Sequence, residues 1–206
     1  LFDGDAFNGK NLVVTTSLSC LVDVDFNDIT SSMIINKKDY KPELDILSPN
    51  AKEIVFRDLS ADQYQQKFNE YINKNYRPSV VWANNSLSNH GILYNAQFIR
   101  NNENLPFASY HGISKKQFED YIADYKNKGF ALTYVDMDNL NGSLIFCAVF
   151  TKISNIEHWS EKHNLTYLDY IQYKAEKLAN GYIEYNNSNC MYLGKKLFAT
   201  SWYKPK

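Results

Sequence analysis

The sequence predicts an α+β domain of three tandem helix–β-hairpin units with an extra hairpin at the N-terminus. Two patterns carry this. Ser60, Ser114 and Thr166 each follow an aliphatic residue, with Gln63, Gln117 and Asp169 three positions on. Asn75, Gly129 and Gly181 stand fifteen positions after them, each followed by an aromatic. A second pattern trails the first. Tyr94-x-Ala-x-Phe98, Phe146-x-Ala-x-Phe150 and Phe198-Ala-Thr-Ser-Trp202 recur at a spacing of 52.

Taken in order, residues 1–53 form the N-terminal hairpin and a connector. Leu18, Cys20, Val22, Val24 and Phe26 alternate with polar residues, as a half-buried strand does. Met33-Ile34-Ile35 is its partner, and Pro42 and Pro49 mark the connector. Unit one spans 54–106, unit two 107–158 and unit three 159–206.

Each unit begins with a helix, over 61–74, 115–128 and 167–180. The Ser or Thr hydroxyl accepts from a free N–H of the first turn, and the side chain three positions on reciprocates. Gln63 and Gln117 suit that role better than Asp169. Asn or Gly at the far end takes the left-handed conformation that stops the helix. The first hairpin strands are Tyr76–Ala83, Phe130–Asp136 and Tyr182–Tyr185, and the aromatic–small–aromatic runs are their partners. One such unit cannot bury its apolar face alone, so the three must pack on one another. Three copies suit a compact pseudo-threefold arrangement, which leaves smaller exposed ends than an open stack.

His-Gly-Ile-Ser (111–114) before a helix, a Gly-aromatic pair after it and a Tyr-x-Ala-x-Phe strand resemble the bacterial tandem repeat domain. That repeat forms the N-terminal part of polyglycine hydrolases, secreted fungal proteases with a β-lactamase-like catalytic half. The resemblance covers Ile54 to Tyr203. It departs at Arg57-Asp58 and His163-Asn164, where the second copy has His-Gly. It implies a scaffold of βαβ-type pieces and a secreted protein, and it carries no catalytic residue onto this chain.

Composition narrows the function. With 22 basic and 23 acidic residues the net charge is −1, which argues against binding nucleic acid through its phosphates. No run reaches the ~20 apolar residues of a membrane helix. Twelve Phe, 16 Tyr and three Trp supply the core, and the Tyr are too many for all to be buried. Cys20, Cys147 and Cys190 have no metal spacing, and a Cys20–Cys190 bridge is left open.

No catalytic residue, metal or cofactor is predicted. The Ser-x-x-Lys at Ser201–Lys204 falls in the last strand, and Gly-x-Ser-x-Gly and Walker A are absent. Asp23–Asp28 fails as a calcium loop, since Asp28 replaces the glycine such a loop needs. The acidic residues of Asp136–Gly142 serve a turn. His111 and His163 recur at a scaffold position, which argues for structure, and His158 has no third ligand in view.

The chain therefore reads as a secreted, non-catalytic recognition module for a protein or glycan. A hydrolase with a site assembled across repeats, and a structural or oligomerising domain, are the alternatives. Ligand contacts are expected on hairpin turns over Trp82–His90, Asp136–Asn141 and Tyr185–Asn189, at Trp82, Asn85, His90, Asp136, Asp138, Asn139, Tyr185 and Asn187. Glycosylation sequons stand at Asn84, Asn141, Asn164 and Asn186, three of them in those turns.

Overall fold

The computed structural model describes residues 52–84 and 91–206. The hairpin expected in Leu18–Ile35, with Cys20, lies outside them. Among the described residues, nine strands form three three-stranded antiparallel sheets, and three helices accompany them. The first unit is β1 (Glu53–Leu59), α1 (Ala61–Ile72), β2 (Tyr76–Asn84) and β3 (Leu93–Arg100). The second is β4 (Phe107–Ser114), α2 (Lys115–Asn127), β5 (Ala131–Leu140) and β6 (Ser143–Thr151). The third is β7 (Ile156–Leu165), α3 (Tyr167–Ala179), β8 (Ile183–Tyr192) and β9 (Lys195–Pro205).

The repeating piece is thus strand, helix, strand, strand. The last strand lies in the middle of each sheet, in the order β1-β3-β2 and its equivalents. The helix–hairpin unit of the sequence pattern is one strand short. Asp58, Gly112 and Asn164, two residues before the helix caps, have φ of 53°, 62° and 56°. Pairing slips there in all three sheets, between Phe56 and Leu59, Tyr110 and Ile113, and Lys162 and Leu165. Such a bulge breaks the two-residue alternation by which a strand is recognised.

The helix signals act as expected. Ser60, Ser114 and Thr166 each close a full capping box, Asp169 serving as well as the two glutamines. Asn75, Gly129 and Gly181 have φ of 62°, 77° and 77°. The aromatic at the fourth position packs on the central strand: Phe118 stacks on Phe146 at 4.5 Å and Tyr170 on Phe198 at 4.8 Å. Tyr94, Phe98, Phe146, Phe150, Phe198 and Trp202 are all buried, and Ala96 and Ala148 are their small spacers.

Two hairpins are longer than the pattern suggests. The turns are Asn141-Gly142, at φ of 49° and 83°, and Leu193-Gly194, at 46° and 76°. Positive φ at both central residues is the tight turn that matches strand twist. Residues 185–189 are consequently strand, not turn, and so are Asp136, Asp138 and Asn139.

Packing between units runs in series, chiefly β2 on β5 and β5 on β8. A closed threefold ring would need the first sheet against the third, and the described residues show no comparable packing between them. One bond repeats along the seam. Ala83 N donates to Asp136 Oδ2 at 3.0 Å, and the equivalent Met137 N donates to Ser188 Oγ at 2.9 Å. Asn186 adds a clamp, accepting from Val135 N at 3.0 Å and donating to Val135 O at 2.7 Å.

Gly112 shows how neighbouring units fit. A Cβ there would collide with the Tyr94 hydroxyl. The equivalent Asn164 lies near Phe146, which has no hydroxyl, since His163 beside it packs on the Phe146 ring at 5.6 Å. Gly112→Asn is expected to destabilise by about 2 kcal/mol, and Tyr94→Phe in the same chain to recover about half of that. Urea unfolding of the two single variants and the double variant checks this. Purely additive losses would show that the hydroxyl is not the obstacle.

Candidate functional site

Of the sequence-predicted ligand residues, Asp136 and Asn139 bond to a neighbouring unit. Asp136 is occupied by Ala83 N, and Asn139 donates to the Met191 carbonyl at 2.9 Å. Tyr185 stacks on Tyr203 at 4.2 Å, Trp82 is half-buried in β2 and Asn187 is exposed in β8. Asn85 and His90 lie outside the described residues. Among the sequons, Asn141 is at an exposed turn, whereas Asn84 donates to Asp58 Oδ1 at 3.0 Å and Asn186 clamps Val135. The Asn164 side-chain oxygen is buried. A glycan needs a free amide nitrogen, so Asn141 is the most accessible of the four.

The seam also perturbs ionisation. Burial pushes the Asp136 carboxyl up to about 7, against the bond from Ala83 N. Burial likewise pushes up the Cys147 thiol, and the Cys190 thiol to about 11; both are free. Such thiols are poor nucleophiles at neutral pH.

His111 and His163 both wedge against the preceding unit. The His111 ring lies 4.5 Å from Tyr64 and 4.7 Å from Tyr94, and burial lowers its pKa. The His163 ring lies 5.3 Å from Phe118 and 5.6 Å from Phe146. Burial opposes its charge, but Glu161 at 3.1 Å and Glu119 at 3.3 Å raise its pKa above the ordinary value. Among the described residues no group of His, Cys, Asp and Glu is placed to hold a metal. No helix among them is long and apolar enough to cross a membrane.

A groove of about 500 Å³ opens where the ends of α2 and α3 meet β7. Trp159 and Tyr182 are its aromatic walls. Lys126 Nζ lies 5.7 Å from the Trp159 ring, and Lys177 Nζ 4.6 Å from Tyr182. Glu157 is its acid, with His158 Nε2 at 3.5 Å and Lys204 Nζ at 4.0 Å. Ser160 Oγ is held by the Tyr173 hydroxyl. The groove thus offers two flat apolar faces under cations on flexible stems, with basic groups in excess over the single carboxylate.

The register exposes what is particular about it. Ala108 pairs with Phe150 as Ser160 pairs with Trp202, so Glu157-His158-Trp159-Ser160 matches Leu105-Pro106-Phe107-Ala108. At the earlier junction Phe107 packs on Phe68 at 6.3 Å. Caps, bulges and seam repeat, but here an apolar tetrapeptide has given way to one that lines a polar, aromatic groove. The contrast stands in the sequence, visible once these tetrapeptides are aligned as parts of a repeat.

The order of elements, the paired left-handed positions and the seam define the repeat. Residues 55–100 and 104–153 each match the polyglycine hydrolase-like structural repeat. Two adjacent matches are what a repeat domain of that type presents. The third unit has the order of elements of the two matched units, with an equivalent cap and left-handed residues at the same two positions. A search of curated proteins finds no match.

Proposed function

We propose that this repeat domain is a secreted, non-catalytic recognition module whose groove between the second and third units holds an acidic glycan. The groove supports this reading because Glu157, His158 and Trp159 stand where the second unit has the apolar Leu105, Pro106 and Phe107, and Lys126 and Lys177 flank them. Sugars lay their C–H faces on aromatic rings, and lysines on flexible stems meet carboxylate or sulfate groups without a fixed geometry. Secretion rests on the resemblance to the repeat region of polyglycine hydrolases, and an accessible Asn141 sequon agrees with it.

The test is a titration with a uronic-acid oligosaccharide, its neutral counterpart and an acidic peptide. The expected result is binding of the acidic sugar alone, weakening with salt. Trp159→Ala and Lys177→Glu should each reduce affinity by about tenfold or more, equivalent to about 1.4 kcal/mol. Trp82→Ala and Tyr185→Ala should leave it unchanged. Loss of binding in that second pair alone would return the site to the hairpin strands. Peptide binding without sugar binding would replace the ligand class.

A further inference from the structure

We propose that the protein associates head to tail, the third unit of one copy receiving the first unit of a second copy. Seven of the eight large hydrophobic side chains that are exposed among the described residues belong to the third unit, and the eighth, Val55, lies on β1 of the first. The exposed apolar side chains of the described array are thus gathered on its last unit, with Val55 alone on its first.

The tail repeats a socket that is filled inside the chain. Tyr64 with Tyr94 receives His111, and Phe118 with Phe146 receives His163. Tyr170 stacked on Phe198 is the third such pair, and there, among the described residues, lysines take the place of the histidine: Lys174 Nζ lies 5.6 Å from the Tyr170 ring and Lys196 Nζ 5.5 Å from the Phe198 ring. Its rim is apolar where the inner rims are polar. Counted from the helix caps, Leu168 takes the place of Lys116 and Asp62, and Ile171 that of Glu119 and Gln65. Leu168 is 78% and Ile171 43% exposed. Repeat arrays close their ends with polar faces, and among the described residues Leu168 and Ile171 leave this rim apolar.

The head presents the matching knob. Val55 and Arg57 on β1 occupy the positions of Ser109 and His111 on β4, and of Glu161 and His163 on β7. In β4 those positions face the preceding unit: Ser109 Oγ lies 3.3 Å from the Tyr64 hydroxyl. On β1 Val55 is 44% exposed and Arg57 is exposed. Val55 would pack on the exposed Leu168 and Ile171 at the rim of the Tyr170–Phe198 pair. The contact would continue an interface the chain already uses twice. It is heterologous, so it extends into chains or rings and does not stop at a two-fold dimer.

Sedimentation of the whole protein over about a hundredfold concentration range tests this. The mean mass is expected to rise with concentration. A tail variant, Leu168→Lys with Ile171→Glu, gives α3 the residues α2 carries at exposed positions, so the helix should be kept. A head variant, Val55→Lys with Arg57 kept, puts a second cation opposite Lys174 and Lys196 from an exposed strand face, and circular dichroism confirms that both fold. Each variant alone should be monomeric, and an equal mixture should form a dimer and nothing larger, because one free head meets one free tail. A wild-type protein that stays monomeric throughout would overturn the proposal. So would a head variant that still dimerises alone, since that result requires tail-to-tail contact.

Discussion

Replacing Phe150 by Ala is expected to destabilise the protein by about 3–5 kcal/mol, the range for emptying a large aromatic site in a tight core. Phe150 is fully buried at the centre of the second sheet. Its ring stacks on Tyr125 at 4.6 Å and meets Tyr110 edge-on at 6.5 Å. Both tyrosines would lose support, and their hydroxyls, bonded to each other at 2.8 Å, fix them too well to collapse into the void. The middle unit bears on both neighbours, so thermal unfolding should shift as a whole. An unchanged melting temperature would mean that the cluster repacks freely.

The second large effect depends on pH. Burial raises the folded-state pKa of Asp136 from its ordinary 3.8 to about 7. A raised pKa means that folding favours the protonated acid. The stability it contributes is present below about pH 4 and is lost as pH rises through about 7. A rise of about three in pKa corresponds to about 4 kcal/mol, an upper figure since water relaxes around a partly buried group. Asp136→Asn keeps an oxygen to accept from Ala83 N and cannot ionise. At pH 8 the variant should be more stable than the wild type by about 2–4 kcal/mol, and at pH 4 nearly equal to it. Denaturant unfolding at the two pH values measures both. A variant less stable at pH 8 would show that the ionised carboxylate holds the seam.

What was legible in the sequence was local. A cap and its reciprocating side chain lie three residues apart, so Ser60–Gln63 and Ser114–Gln117 declare themselves. The central strands are buried on both sides and read as aromatic runs. The opening strands were hidden by a bulge that turns the side-chain order over just before each cap. Residues 185–189 look like a turn because they are Asn- and Ser-rich. Two of those polar side chains are committed elsewhere, since Asn186 and Ser188 satisfy the backbone of Val135 and Met137 in the unit before. A polar residue that serves a distant N–H cannot be told locally from one that faces water. The groove was hidden for a related reason, since Trp159 alone is only an aromatic in a strand and becomes informative against Phe107.

The seam also has a direction in time. Its donors at Ala83 and Met137 are backbone groups of the earlier unit, and the acceptors Asp136 and Ser188 are side chains of the later one. A ribosome makes the earlier unit first. Unit one must hold the Ala83 N–H in water until β5 is synthesised. His111 likewise arrives after the rings it covers. Each unit is therefore finished by the next one to leave the ribosome, and a pause between units would leave the newest seam edge open to the wrong partner.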